Sequence, residues 1–333
     1  MKFGETFTEY RHGDQERFLD KFSHVEYKRL KKVLKSCRRC HSMQASQDER
    51  LEETANGGSS QLCSSDSCPV CDKQFFSELT KEASEIAGCL RSRVRRLLQL
   101  HVTNGLRGYV CRLRHCFVDD QEALHQGRIL IDYITMNAMA IRKILKKYDK
   151  VHCSVNGRNF KIKMQAERLE LLQSPWLIEL GAFYINSRGL DDGDSNHFCR
   201  QFSCDFSGTE PVIKLIISDS VKLEYNLTCA ICLDTLFNPY ALACGHLFCK
   251  GCACAAASVL LFQGPKAALH ESKCPVCRAS GVYEDSVHMS ELDLLIKTRC
   301  KEYWKERLHL ERAEMVKHSK VFWDSQTKTL LGY

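Results

Sequence analysis

Eight metal-seeking side chains stand in a fixed order within residues 229–277: Cys229-x-x-Cys232, Cys244-x-His246, Cys249-x-x-Cys252 and Cys274-x-x-Cys277. No other feature of the chain constrains its fold so tightly. Two residues between a pair of thiolates let a tight turn aim both at one ion, and eight such donors suffice for two closed tetrahedral zinc sites. The stretch from Cys244 to Cys252 is too compact for each pair to serve its sequence neighbour. The interleaved solution puts Cys229, Cys232, Cys249 and Cys252 on one zinc, and Cys244, His246, Cys274 and Cys277 on the other. The chain holds 20 cysteines, and in a reducing compartment clustered C-x-x-C pairs read as metal sites rather than as a disulfide framework. The opening MKFGETFTEYRHGDQERF carries acids and no apolar core, which predicts no signal peptide. The longest apolar stretch, from Cys252 to Phe262, is far short of the ~20 residues a spanning helix needs. The expectation is a protein of the cytoplasm or nucleus with no membrane span of its own.

At roughly 150 residues per domain, 333 residues make about two domains. Hydrophobic residues at 44% and charged residues at 27% are globular values, which exclude wholesale disorder, a collagen-like repeat and a porin-like barrel. The net charge of +7 is unevenly spread. Residues 1–175 carry 31 Lys and Arg against 22 Asp and Glu, whereas residues 176–333 carry 17 against 19. An anionic partner therefore belongs to the first half.

Four parts follow from the pattern along the chain. Residues 1–175 read as an antiparallel helical bundle. One short helix recurs through Leu30, Val33, Leu34 and Cys37 behind a cap at Ser23. A long helix steps through Phe76, Leu79, Ala83, Ile86, Leu90, Val94, Leu97 and His101, and another through Leu130, Ile134, Ala138, Ile141, Leu145 and Tyr148. Residues 176–225 read as a linker ending in a short β-hairpin, because Ile213, Leu215 and Ile217, then Val221, Leu223 and Tyr225, alternate with period two. Residues 226–282 are the cysteine cluster, and residues 283–333 a charged C-terminal helix.

The cysteine cluster, with its order and gaps, resembles the RING finger family over residues 226–282. That resemblance implies a docking surface for a ubiquitin-conjugating enzyme charged with ubiquitin. Its members would be Ile231 inside the first pair, Pro275 inside the last, and Leu260 or Leu261 on the helix after the third. Arg278 stands where many active members carry a basic linchpin. The mechanism implied is scaffolding without a covalent ubiquitin intermediate: ubiquitin is held folded back so that its thioester faces an incoming lysine amine. The planar fork of Arg278 suits hydrogen bonds to two partners at once. Cys254 and Cys300 read as ordinary thiols, since neither has an activating histidine nearby in sequence.

In the first half, Lys143, Lys147 and Lys150 are spaced i, i+4, i+7 with Lys146 beside them, opposite the face of Ile141, Leu145 and Tyr148. Tyr27 and Lys31 are one turn apart on their own helix, and residues 27–40 contain no acid. A single-sign patch costs self-repulsion unless a polyanion relieves it. With the opening MKFGE, these segments resemble the SPX domain over roughly residues 1–175. The resemblance implies an inositol polyphosphate or pyrophosphate held by Lys2, Tyr27, Lys31, Lys143, Lys146, Lys147 and Lys150. One departure is an extra pair of motifs, Cys37-x-x-Cys40 and Cys68-x-x-Cys71. In an antiparallel bundle the end of the Tyr27 helix and the start of the next long helix lie close together, so these four thiolates are candidates for a third zinc.

The fold class expected is multidomain: a mainly α N-terminal helical bundle (SPX) plus a small zinc-stabilised α+β RING finger. SPX followed by RING is similar to the plant nitrogen-limitation-adaptation (BAH-like) family of ubiquitin ligases, which implies membrane phosphate or nitrate transporters as substrates. Two other readings compete. A non-catalytic phosphate sensor should lack Ile231, Pro275 or Arg278, and all three are present. A nucleic-acid binder should have a basic zinc module, yet the excess positive charge lies outside it, so no nucleic-acid partner is expected. Self-association through the final helix is left open.

Overall fold

The computed structural model describes residues 22–34, 69–101, 118–152, 155–166, 171–187, 202–208, 210–218 and 221–331. It divides into two compact units, residues 1–172 and 173–333. Lys2, Cys37, Cys40 and Cys68 lie outside the described residues, as does the side chain of Cys71.

The first unit is helical. Its described elements are α1 (residues 27–34), α2 (Pro69–His101), α3 (Val118–His152) and α4 (Asn156–Ala166). The expected periodicities become the core: Leu79, Ala83, Ile86, Leu90 and Val94 of α2 are fully buried, as are Ile134 and Ile144 of α3. One position moves. Phe75 rather than Phe76 is the deeply buried aromatic, because its ring stacks on Tyr148 at 4.9 Å, while Phe76 is half-buried between Tyr148 and Phe160. The Tyr148 hydroxyl donates to Asp72. A contact between the start of α2 and the late part of α3 makes the two helices antiparallel.

Ser23 does not cap α1. Its carbonyl accepts the Tyr133 hydroxyl in an extended lead-in, and the helix begins at residue 27. Side chains from the long helices fix this lead-in instead. Asn137 accepts the Val25 N–H at 2.9 Å, and Glu82 accepts the Glu26 N–H at 3.1 Å. Arg29 adds an ion pair to Glu78 at 3.1 Å. Helix α4 takes its cap from a neighbouring helix. The Asp149 carboxylate takes the N–H groups of Gly157 and Arg158 at 2.7 and 3.0 Å, so its charge is committed to a helix terminus and not to a lysine beside it.

The second unit corrects the linker expected over residues 176–225. Pro175–Ser187 is a helix, α5, whose residues Trp176 to Ile185 are all buried. It is apolar all round because it is covered on more than one side, by the first sheet and by a later helix. The expected hairpin is present as β2 (Val212–Ser218) and β3 (Val221–Asn226), and β1 (Phe202–Asp205) adds a third antiparallel strand in the order β1-β2-β3. Ile213 opposes Tyr225 and Leu215 opposes Leu223, which carries Ile213, Leu215 and Tyr225 into the core. Gly181 of α5 is required: a Cβ there would stand 2.6 Å from the Phe202 ring.

The cysteine cluster then supplies β4 (Pro239–Ala241), β5 (Leu247–Cys249) and α6 (Lys250–Ala256), and β6 (Val287–His288) completes a sheet of order β5-β4-β6. The single charged helix expected at the C-terminus is two, α7 (Ser290–Arg299) and α8 (Lys301–Leu331), broken at Cys300 where φ is −121° and ψ is 57°. Helix α7 has no side-chain cap of its own. The fully buried Glu179 of α5 caps it, accepting the N–H groups of Glu291 and Leu292 at 2.8 and 3.1 Å. Burial pushes the Glu179 carboxyl up to about 8, while those backbone donors pull the other way.

Candidate metal centres

Each C-x-x-C pair at the ends of the cluster sits on the same kind of turn. The Leu233 N–H returns to the Cys229 carbonyl at 2.9 Å, and the Cys229 N–H bonds Asp234 O at 2.8 Å. The second turn repeats this: the Arg278 N–H bonds Cys274 O at 2.9 Å, and the Cys274 N–H bonds Ala279 O at 2.9 Å. Both turns close through a residue in the left-handed region, Leu233 at φ 62° and Arg278 at φ 59°. Strand β5 delivers Cys249 and the first turn of α6 delivers Cys252, while the β4–β5 loop delivers Cys244 and His246.

These segments converge as the interleaved spacing requires. The ligand atoms of Cys229, Cys232, Cys249 and Cys252 all lie within 4.8 Å of one another, and so do those of Cys244, His246, Cys274 and Cys277. Zinc bound at ~2.3 Å to sulfur gives a tetrahedron with sulfur–sulfur edges of about 3.8 Å. The Cys232 and Cys249 sulfurs are 3.8 Å apart. His246 Nδ1 lies 3.3 Å from Cys244 Sγ and 3.5 Å from Cys274 Sγ, close to the shorter sulfur–nitrogen edge of the same tetrahedron. The donor sets fit two zinc ions.

The thiols are also electrostatically prepared. Hydrogen bonds from Cys249 and Cys252 hold Cys229 well below the ordinary thiol range, and in return raise Cys249 far above it. Cys244 and, against burial, His246 bring Cys274 down to about 3. A divalent ion bound at either cluster would displace the thiol protons. Cys254 is buried and pushed up to about 11 by that burial, and burial also raises Cys300. Both directions fit ordinary thiols.

Around the two centres the expected contact residues are left at the surface: Ile231 is 41% exposed, and Pro275 and Arg278 are exposed. The apolar residue sought on the helix after the third pair is a correction. Helix α6 ends at Ala256, and Leu260 and Leu261 follow it in a turn; Leu261 is buried and Leu260 half-buried. In the first unit, Lys31, Lys143, Lys146 and Lys150 are exposed, Lys147 is half-buried, and burial raises Tyr27.

A brace for the first centre was not legible in the sequence. Asp293 of α7 accepts both the Asn238 N–H and the Trp304 indole N–H, each at 3.1 Å. Glu311 of α8 accepts the Asn238 side-chain amide at 2.9 Å, and the Tyr303 hydroxyl donates to Thr235 O. The next residue back, Phe237, packs its ring 5.7 Å from Trp304 and donates its N–H to the ligand sulfur of Cys249 at 3.3 Å. Asp293→Ala leaves two donors without their acceptor. It is expected to cost roughly 2–4 kcal/mol in denaturant unfolding and to speed zinc release to a chromogenic chelator.

A RING-type zinc-finger family model matches residues 229–275. Over its whole length the chain is similar to the probable E3 ubiquitin-protein ligase BAH1-like of Arabidopsis thaliana, 61% identical over 336 residues and covering 100% of both chains. It is likewise 58% identical over 338 residues to the probable E3 ubiquitin-protein ligase BAH1-like 1 of Oryza sativa subsp. indica, again with 100% of both covered. Against the E3 ubiquitin-protein ligase NLA of Arabidopsis thaliana it is 40% identical over 352 residues, with 100% of both covered. With the interleaved Cys and His centres beside full-length identity of this order, the chain belongs to the family of RING-type E3 ubiquitin-protein ligases that includes the BAH1-like proteins and NLA.

Proposed function

We propose that the RING unit promotes ubiquitin transfer from a charged conjugating enzyme to substrate lysines, and that the N-terminal bundle tunes this transfer by binding an inositol polyphosphate or pyrophosphate. The observation that carries the ligase reading is the pair of interleaved centres with Ile231, Pro275 and Arg278 left at the surface on their turns. Zinc bound at these centres would supply a scaffold alone, since the four protein ligands at each would fill its tetrahedral shell. Ile231 and Pro275 dock the conjugating enzyme. Arg278, set by its left-handed backbone after the last ligand, orients ubiquitin against it. The rate gain is positional: a thioester on a flexible tether is confined to conformers open to attack by an amine.

The sensing half of the proposal is supported by the direction of α1. The contacts of residues 23–29, its lead-in and first turn, advance from Tyr133 to Asn137 along α3 as they retreat from Glu82 to Glu78 along α2. Helix α1 therefore runs parallel to α3, and Tyr27 and Lys31 advance toward the part of α3 that bears Lys143, Lys146, Lys147 and Lys150. By resemblance the substrates are membrane phosphate or nitrate transporters, with the ligase drawn from the cytoplasm or nucleus to the plasma membrane by the substrate itself.

Single-turnover discharge of a charged conjugating enzyme tests the ligase half. Arg278→Ala should slow discharge about tenfold or more while binding of the uncharged enzyme stays near the parental value. Ile231→Ala should weaken that binding by about tenfold, the loss of ~1.4 kcal/mol of buried apolar contact. Parental rates in both variants would refute the assignment.

A further inference from the structure

Helix α8 has one face committed to its own unit. Tyr303 and Arg307 hold the turn of the first cysteine pair through Thr235 and Asp234, and Trp304 and Glu311 hold Asp293 and Asn238. Farther along, the Phe322 ring meets Phe262 at 5.4 Å. These contacts fix the helix over about five turns.

The opposite face is exposed, and it is not simply polar. Val316, Trp323 and Leu330 recur every seven residues and are 67%, 63% and 85% exposed. Ala313, Lys320 and Thr327, each three residues earlier, are exposed as well. Alternating steps of three and four make the seam of a two-stranded coil, with Val316, Trp323 and Leu330 at its d positions and the other three at a. A helix that only lines its own core needs no second stripe, and an indole left in water forgoes the gain of burying it. Leu310 and Val321, also exposed, stand off this seam.

We propose that this face pairs with the same face of a second copy of the chain, the two α8 helices running antiparallel about a two-fold axis. Shape and charge select both the occupant and the direction. In antiparallel register Ala313 lies opposite Leu330 of the second copy, Val316 opposite Thr327, and Lys320 opposite Trp323. Smaller residues thus meet larger ones, and the Lys320 ammonium lies over an indole face. Lys317 flanks Asp324 of the second copy, and the two-fold makes every one of these contacts twice. Parallel pairing would instead set Lys320 against Lys320 and Arg312 beside Lys317, all of like charge. The face therefore complements itself in one direction. From Ala313 to Leu330 the seam is roughly 27 Å long. That is short for two free helices, but α8 is already ordered by its own unit. A dissociation constant of about 1–50 µM is expected for a contact of this size. Neither the ligase nor the sensing proposal is needed for this pairing, and neither falls with it.

Sedimentation equilibrium of the full zinc-loaded chain, from about 1 to 100 µM, should follow a monomer–dimer equilibrium within that range. Trp323→Asp and Val316→Glu, both at exposed positions, should stay monomeric throughout and melt near the parental temperature at the lowest concentration. Lys317→Asp should weaken pairing roughly tenfold, because two cross-helix attractions become repulsions, and adding Asp324→Lys in the same chain should recover affinity. Carbodiimide treatment of mixed isotope-labelled and unlabelled chains should join Lys317 to Asp324 between copies. Should an apolar variant fold poorly, the charge pair and its rescue decide alone. A parental chain that is monomeric over the whole range overturns the proposal. So does a dimer that survives both Trp323→Asp and Val316→Glu, or a Lys317→Asp variant that pairs more tightly, which would make the helices parallel. Two further outcomes would name another occupant. A monomeric chain that binds phosphatidylcholine–phosphatidylserine vesicles through Trp323 would make it a membrane surface. A monomeric chain whose Trp323→Asp variant loses only the uncharged conjugating enzyme would make it that enzyme. Either result also overturns the pairing.

Discussion

Stripping metal from the full chain should unfold the two zinc centres and abolish ubiquitin discharge, with both restored by adding zinc back. A structural zinc contributes ~10–16 kcal/mol of binding free energy, against a net stability of about 5–15 kcal/mol for a whole domain. No rearrangement of the small core around Leu227, Leu236, Phe237 and Phe248 could offset such a loss. Cys229→Ser or Cys274→Ser should act in the same direction, each opening one centre by removing a buried ligand sulfur. Circular dichroism with a chelator titration checks the unfolding, and a folded, active, metal-free chain would refute the assignment. Any fragment used beside the full chain should begin at 173, where the second unit begins, because Glu179 caps α7 and α7 braces the first centre. Native mass spectrometry then counts ions: two belong to residues 173–333. A third in the full chain, lost in a Cys68→Ser, Cys71→Ser double variant, would answer the sequence expectation for Cys37, Cys40, Cys68 and Cys71.

The second large effect is expected at the lysines of α3. Replacing Lys143 and Lys147 by Ala should weaken binding of inositol hexakisphosphate roughly 100-fold or more, taking ~1.5–3 kcal/mol for each charge-assisted contact. Lys143 is exposed and Lys147 half-buried beside the buried face of Ile141, Ile144, Leu145 and Tyr148, so the double variant should stay folded, with a melting temperature near the parental one. Orthophosphate should bind far more weakly than the hexakisphosphate, since several lysines address several phosphates together. The parental affinity should fall steeply with added salt. Calorimetry on the double variant checks this, and unchanged affinity would remove these lysines from the site.

What could be read in advance was what depends on short spacing. The eight ligands announced themselves because two intervening residues suffice to aim a thiolate pair, and the compactness of Cys244–Cys252 left interleaving as the workable arrangement. Helices α2 and α3 were legible because each buries one face, so apolar residues recur every three or four positions. Phe75 and Phe76 show the limit of that signal. Either aromatic extends the stripe from Leu79, and only the ring of Tyr148 on another helix selects Phe75. Helix α5 was missed for the opposite reason: covered on more than one side, SPWLIELGAFYIN has no polar face and hence no period.

The sequence alone therefore determined the metal chemistry, the helical first half, the hairpin and the separation of charge, all of which follow from residues a few positions apart. Tertiary structure decided which polar residues are spent inside the protein. Glu179, Asp293, Glu311, Asn137 and Asp149 look in the sequence like ordinary solvated groups, and each fixes a helix end, a turn or an extended segment from another element. Their partners are backbone N–H groups, a side-chain amide and an indole N–H, which carry no sequence signature at such separations. A buried donor must be satisfied by whatever acceptor the packing brings to it, and that acceptor exists only once the chain has folded.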